Sequence, residues 1–195
     1  MTDSAPPDLT ALIGSRICHD LVNPLGALGN GVELLQMLQE PSAELDLMAQ
    51  SVAQAQGMVR LFRLAFGAAQ ADQQVTGREM RAVLDAMAPL QIEAALPDAM
   101  PRSDARLMVL LLMCCQSALP RGGPVSLTGH AGAWTLTATG ERLRIDPALW
   151  QTLGTPGAAP VSAAQVHFAL VPGALAASGR RLAQDLSDQA ITLSF

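Results

Sequence analysis

From Ile17 to Leu35 the apolar residues Ile17, Leu21, Leu25, Leu28, Val32 and Leu35 follow one another at steps of 4, 4, 3, 4 and 3. A second series, Leu45, Met48, Val52, Ala55, Val59, Phe62 and Phe66, steps 3, 4, 3, 4, 3 and 4. That period belongs to helices, and the second series to helices packed at a shallow left-handed crossing. Pro41 cannot continue the first helix, and Ser42 can cap the second, with Glu44 near its positive end. So short a connection makes the two an antiparallel hairpin. The first helix is expected from about Leu9 to Gln39, capped by Asp8 behind Pro6-Pro7. Leu12, Ile13, Leu38, Leu47, Met58 and Leu61 lie partly off both series and need cover. A second copy of the chain supplies it by completing a four-helix bundle; the alternative is that the rest of the chain folds back over them.

The first helix carries chemistry that helix-building does not ask for. His19-Asp20-Leu21-Val22-Asn23-Pro24 places an acid after a histidine, an amide one turn on, and a proline. An interior proline costs about 3 kcal/mol or more, and it leaves the Asp20 carbonyl without its helical donor. Gly26, Gly29 and Gly31 follow, each costing roughly 1 kcal/mol against alanine. Poor helix chemistry held inside a helical pattern marks a candidate functional site. The mean direction of the first apolar series lies nearly opposite to His19, which is therefore expected to face solvent, with Arg16 and Asn23 on its side.

Of the 195 residues 50% are hydrophobic and only 3% aromatic, so alanine and leucine carry the packing. A net charge of −5 argues against nucleic acid as partner. All 12 basic residues are arginine, which excludes a P-loop lysine and a Schiff-base lysine. Cys18, Cys114 and Cys115 have no metal-ligand spacing and read as reduced packing thiols of a cytoplasmic protein. No signal peptide is recognisable at the N-terminus, and no apolar run reaches the roughly 20 residues of a membrane span.

Two domains are expected: a helical hairpin over 1–70 and an α/β sandwich over 76–195, an α+β chain. Residues 68–75 read as a polar linker or a fraying helix end. Thr76-Gly-Arg-Glu79 fits a capping box opening a helix to about Ala86, and Leu90–Ala94 alternates as a strand. Ser103 can cap an apolar helix to Leu119. Three alternating stretches starting at Val125, Trp134 and Arg142 read as an antiparallel meander. Asp146-Pro147 opens a short helix, Ser162-x-x-Gln165 another, and Ala190–Phe195 is a last strand. His130, in a turn, and His167, on a helix, are isolated and read as structural or solvated.

His19-Asp20-x-x-Asn23-Pro24 resembles the phospho-acceptor box of sensor histidine kinases: histidine, an acid, two variable residues, Asn or Thr, then proline. The longer run from Arg16 to Leu35 is similar to the alphaproteobacterial histidine phosphotransferases of the ChpT type. The resemblance implies that His19 is the phospho-acceptor and that the bundle is a homodimer. It further implies that the second domain descends from a kinase ATP-binding domain. The kinase pieces that hold ATP are degraded here. Where Asn-x-x-x-Asn-Ala is expected, the chain reads Met113-Cys-Cys-Gln-Ser117-Ala118. Where Asp-x-Gly-x-Gly is expected, it reads Ala138-Thr-Gly140-Glu-Arg142, and the glycine-rich lid is a plain helical stretch from Ala163.

The implied activity is a histidine phosphotransferase without ATP binding or autokinase activity. His19 takes a phosphoryl group from one receiver-domain aspartate and gives it to another, with Mg²⁺ supplied by the receiver. The attacking nitrogen must be neutral. Asp20 either favours the ring protonated on its far nitrogen or faces solvent; Asn23 can hydrogen-bond the phosphoryl group or a water; Arg16 can screen its charge. Pro24 and the glycines bend the helix and admit a close neighbour. Val22, Leu25 and Gly26 are the expected docking residues for a receiver. By resemblance, the partners are a CckA-like hybrid kinase and CtrA-like and CpdR-like response regulators of cell-cycle control. Two other readings stand beside this one: a clamp that inhibits a kinase or regulator without relay, and an aspartyl-phosphate phosphatase using Asn23.

Overall fold

Two long helices form the N-terminal part, α1 over Leu9–Leu38 and α2 over Ala43–Phe66. The computed structural model describes residues 9–68, 72–130 and 132–195, in two compact units, Met1–Gln70 and Ala71–Phe195. The expected Asp8 cap lies outside the described residues. Ser42 caps α2 by accepting from the Leu45 amide at 3.2 Å, with Glu44 and Asp46 in the first turn. α1 runs unbroken through Pro24.

The face that α1 turns toward α2 differs from the expected one. Ala11, Cys18 and Val32 are buried, while Ile17, Leu21 and Leu28 stand 55%, 45% and 57% exposed. The cause is size. A β-carbon on Gly14 would lie 2.9 Å from the Phe66 carbonyl oxygen, and one on Gly29 would lie 2.7 Å from the side-chain amide of Gln56. Small residues let the two helices approach closely, and the larger apolar side chains are left on the outside. Of the residues expected to need cover, Leu12, Ile13, Leu38 and Leu47 are exposed, Met58 is half-buried, and Leu61 is buried.

The second unit opens with β1 (Gln74–Thr76), which overlaps the end of the expected linker and pairs antiparallel with β3 (Ala99–Pro101). Between them stand α3 (Gly77–Asp85), entered through the reciprocal Thr76–Glu79 capping box, and β2 (Leu90–Ala94). α4 (Arg102–Ala118) starts one residue before Ser103, without a side-chain cap, because Pro101 ends β3 directly against it. β4 (Gly123–His130) then pairs parallel with β2 and antiparallel with β5 (Ala133–Thr139). α5 (Pro147–Gln151) is capped by Asp146. A 3-10 turn (Ala163–Gln165) leads into α6 (Val166–Ser178), and β6 (Ala183–Leu186) and β7 (Ala190–Ser194) complete the chain.

The five-stranded sheet has the order β2-β4-β5-β7-β6. The expected third strand of the meander, Arg142–Ile145, is not a strand, and β7 takes the place beside β5. Arg142–Ile145 is an irregular crossing: the Leu143 amide donates to the Asp188 carbonyl at 2.8 Å and that of Arg144 to Ala118 at 2.9 Å. Its alternation reflects a buried Leu143 between exposed arginines, not a ladder. Leu127, Leu136 and Leu193 face one another across three strands and are fully buried. α4 contributes an unbroken buried run from Leu107 to Leu112 and packs against α6, where Trp150 of α5 meets Phe168 edge-on at 5.6 Å. Cys114 and Cys115 are buried in α4, and desolvation pushes both thiols up, Cys115 to about 12.

Candidate functional site

α1 is one unbroken helix over Leu9–Leu38, so its outer face is presented on a continuous element. His19 is on that face, its side chain 74% exposed. Asp20 stands beside it and is gripped from both sides. Its Oδ1 lies 3.2 Å from Nδ1 of His19, and Nε of Arg16, one turn back, donates to Oδ2 at 2.8 Å. The hydrogen bond to His19, then that to Arg16, holds the Asp20 carboxyl below its ordinary range, so it is ionised at neutral pH.

An ionised carboxylate can only accept, so the geometry assigns the ring proton to Nδ1. The sequence left open whether Asp20 favours a proton on the far nitrogen or faces solvent; its carboxylate stands beside Nδ1 and remains half-exposed. Adjacent residues on a helix bring their side chains together only at the near side of the ring. The far nitrogen, Nε2, is left with a lone pair facing solvent, which is the form a nucleophile needs.

Asn23, one turn beyond, is exposed, and its carboxamide has no partner among the described residues. Val22 is 42% exposed on the same side. Leu25 is half-buried, and its carbonyl accepts from Nε2 of Gln56 on α2 at 3.1 Å. Gly26 and Gly31 differ from Gly29: a β-carbon on either would meet nothing within 4 Å. Pro24 is exposed. Cys18 next to His19 points inward, and burial raises its thiol, so it does not compete as nucleophile.

The two remaining histidines are elsewhere. His130 ends β4 and is exposed. His167 is buried in α6, its ring 4.8 Å from that of Phe168, and burial pushes it down to about 4. Its Nε2 stands 3.2 Å from Oγ of Ser117, whose hydroxyl donates to the Met113 carbonyl at 3.1 Å. The serine hydroxyl is thereby committed as donor, so His167 donates to it from Nε2. Sequence reading missed this contact, because a hydroxyl and an imidazole 50 residues apart leave no periodic signal.

An exposed imidazole braced by a carboxylate, on a helical hairpin followed by an α/β unit, defines a phosphotransfer type of architecture. Comparison with known proteins agrees. The family model of the histidine phosphotransferase C-terminal domain matches residues 77–190. Protein phosphotransferase ChpT of Brucella abortus (strain 2308) is 32% identical over 172 residues, covering 82% of this chain and 80% of that protein. A solved structure described as a bacterial phosphotransferase, at 1.7 Å, superposes with a TM-score of 0.64 over 98% of both chains, at 24% identity, and supports the fold. The chain belongs to the histidine phosphotransferase family and is of the ChpT type. No helix among the described residues is long and apolar enough to cross a membrane.

Proposed function

We propose that the protein relays phosphoryl groups between the receiver-domain aspartates of a hybrid kinase and of response regulators through a phosphohistidine at His19. The observation that carries this reading is the Asp20–His19 pair, which leaves Nε2 free and exposed. In the uptake step the Nε2 lone pair attacks phosphorus of the partner's aspartyl phosphate. An N–P bond forms, the acyl phosphate P–O bond breaks, and the aspartate leaves as carboxylate. Nδ1 keeps its proton, so the ring becomes cationic, and the ionised Asp20 beside Nδ1 offsets that charge. The acceptor's aspartate reverses the step. Because such transition states are loose, the protein's task is positioning and charge neutralisation. Arg16 stands one turn from His19 with a guanidinium for the phosphoryl oxygens, and Asn23 has a free carboxamide. Mg²⁺ belongs to the receiver.

The relay works without ATP. In support, Ser117, at the position where the kinase pattern has its second asparagine, is engaged by His167 of α6. The active form is a homodimer. Ile17, Leu21 and Leu28 form an exposed apolar stripe along α1, joined by Leu47 and Met48 on α2, and a second hairpin would cover it as a four-helix bundle. The partners are CckA-like, CtrA-like and CpdR-like, and the protein works in the cytoplasm in cell-cycle control.

Mixing the protein with a phosphorylated receiver tests the reading. Acid-labile, alkali-stable label is expected on the wild-type chain and none on His19→Gln. Label that persists in His19→Gln overturns the assignment. Label acquired from ATP alone overturns the ATP-independent relay. Rapid phosphate release without retained label favours a phosphatase instead.

A further inference from the structure

Three residues on the outer face of α1 form a chain of contacts. Oδ2 of Asp20 accepts from Nε of Arg16 at 2.8 Å, and Oδ1 of the same carboxylate stands 3.2 Å from Nδ1 of His19. Each oxygen has its own partner, and the two contacts together fix the plane of the carboxylate. Neighbours at i and i+1 are about 100° apart around a helix and do not face each other. Asp20 therefore meets His19 only while its side chain is turned toward the ring. Water competes for that carboxylate, because the Asp20 side chain is 51% exposed. Arg16 precedes Asp20 by four residues and His19 by three, so it stands one turn below both. Its Nη groups have no hydrogen bond among the described residues.

We infer that Arg16 is a positioning residue that acts through Asp20: it holds the carboxylate against Nδ1 of His19 and so keeps Nε2 unprotonated for attack. The inference rests on the relay reading above and deepens it. A neutral histidine ring left to itself carries its proton mostly on Nε2, and in that form Nε2 has no lone pair to give. A carboxylate at Nδ1 reverses the preference only while it stays there. An exposed aspartate has other staggered positions at χ1, and turning to one of them takes Oδ1 away from the ring. The planar, permanently charged guanidinium disfavours those positions, because they break its bond to Oδ2. The same arrangement confines transfer to Nε2, since a protonated Nδ1 cannot attack phosphorus. Nε serves Asp20 and the Nη groups remain for the phosphoryl oxygens, so the two tasks fall to separate atoms of one side chain. An exposed ion pair is a weak contact, so its effect is graded: it sets the fraction of rings ready to attack.

The test is a cycle on the full-length chain: wild type, Arg16→Ala, Asp20→Ala and the double variant. Both side chains are exposed and alanine favours helix, so α1 is expected to survive, which circular dichroism melting checks. Nitrogen-15 NMR of the neutral His19 ring, assigned by its loss in His19→Gln, reads the proton position without any receiver. In Arg16→Ala part of the proton is expected to move from Nδ1 to Nε2, and in Asp20→Ala more of it, with the double variant matching Asp20→Ala. Single-turnover uptake from a phosphorylated CckA-like receiver should be about 3-fold slower in Arg16→Ala at saturation, with half-saturation unchanged. The combined loss in the double variant should fall short of the product of the two single losses. A wild-type proton position in Arg16→Ala overturns the inference, as do losses that multiply in full. A rise in half-saturation with the maximal rate unchanged marks Arg16 as a docking residue and overturns it too. Absence of label on the wild-type chain sinks the relay instead, and the NMR result stands apart from it.

Discussion

The side-chain amide of Gln56 occupies the place that a β-carbon on Gly29 would need, 2.7 Å from it, while donating to the Leu25 carbonyl at 3.1 Å. This contact ties α2 to the turn of α1 that follows His19–Pro24. It explains why a residue that costs a helix about 1 kcal/mol stands there.

Gly29→Ala gains that propensity only by displacing Gln56, whose hydrogen bond is worth about 0.5–1.5 kcal/mol, so its net effect on stability should be near zero. In a Gln56→Ala background the same change should stabilise by up to about 1 kcal/mol, because nothing is left to displace. Gly26→Ala and Gly31→Ala, with open space around them, should stabilise without any partner change. Gly14→Ala meets the Phe66 backbone, which cannot swing aside, and should destabilise. Urea unfolding of the five single variants, Gln56→Ala included, and of the double variant, at one protein concentration, checks the set.

Asp20→Asn keeps the shape beside Nδ1 and removes the negative charge. Without that charge beside Nδ1 the cationic phosphoimidazole loses its counter-ion, and phosphoryl uptake should be roughly 10-fold slower or more. Stability should change little, since the Arg16–Asp20 pair is solvent-exposed. Single-turnover transfer from a labelled receiver, together with a thermal melt, separates the two effects.

Burial holds His167 neutral down to about pH 4, whereas an unfolded histidine takes a proton near pH 6.5. Between those values the unfolded chain binds the extra proton, so the stability from this site is complete above about pH 6.5 and is lost as pH falls toward 4. One proton gives a slope of at most about 1.4 kcal/mol per pH unit. In His167→Gln the fall in stability over this window should be shallower than in the wild type. Equal slopes in denaturant titrations of the two proteins would contradict it.

Asp104 at the start of α4 and Arg180 after α6 form a two-pronged ion pair with side chains 7% and 11% exposed. Removing one partner strands the other charge in the interior, so Arg180→Ala or Asp104→Ala should cost about 3–5 kcal/mol. An Asp104→Leu, Arg180→Met double variant should recover much of that loss, because neither charge is left behind. Guanidinium unfolding of the three variants measures it.

Much of this molecule can be read from short-range patterns. The two helices of the hairpin, the caps at Ser42, Thr76 and Asp146, and the exposure of His19 all follow from periodicity and from residue types a few positions apart. The candidate site was legible because Arg16, His19, Asp20 and Asn23 are neighbours along one helix face. Tertiary structure alone decided the rest. Small residues at Gly14, Cys18 and Gly29 drew the hairpin together on a face that counting large apolar residues did not pick, since close approach rewards the absence of side-chain atoms. Arg142–Ile145 alternates like a strand, yet β7 won the edge of β5, because a ladder depends on which distant segment arrives there. The Asp20 proton logic and the Ser117–His167 contact likewise depend on distances that sequence order does not carry.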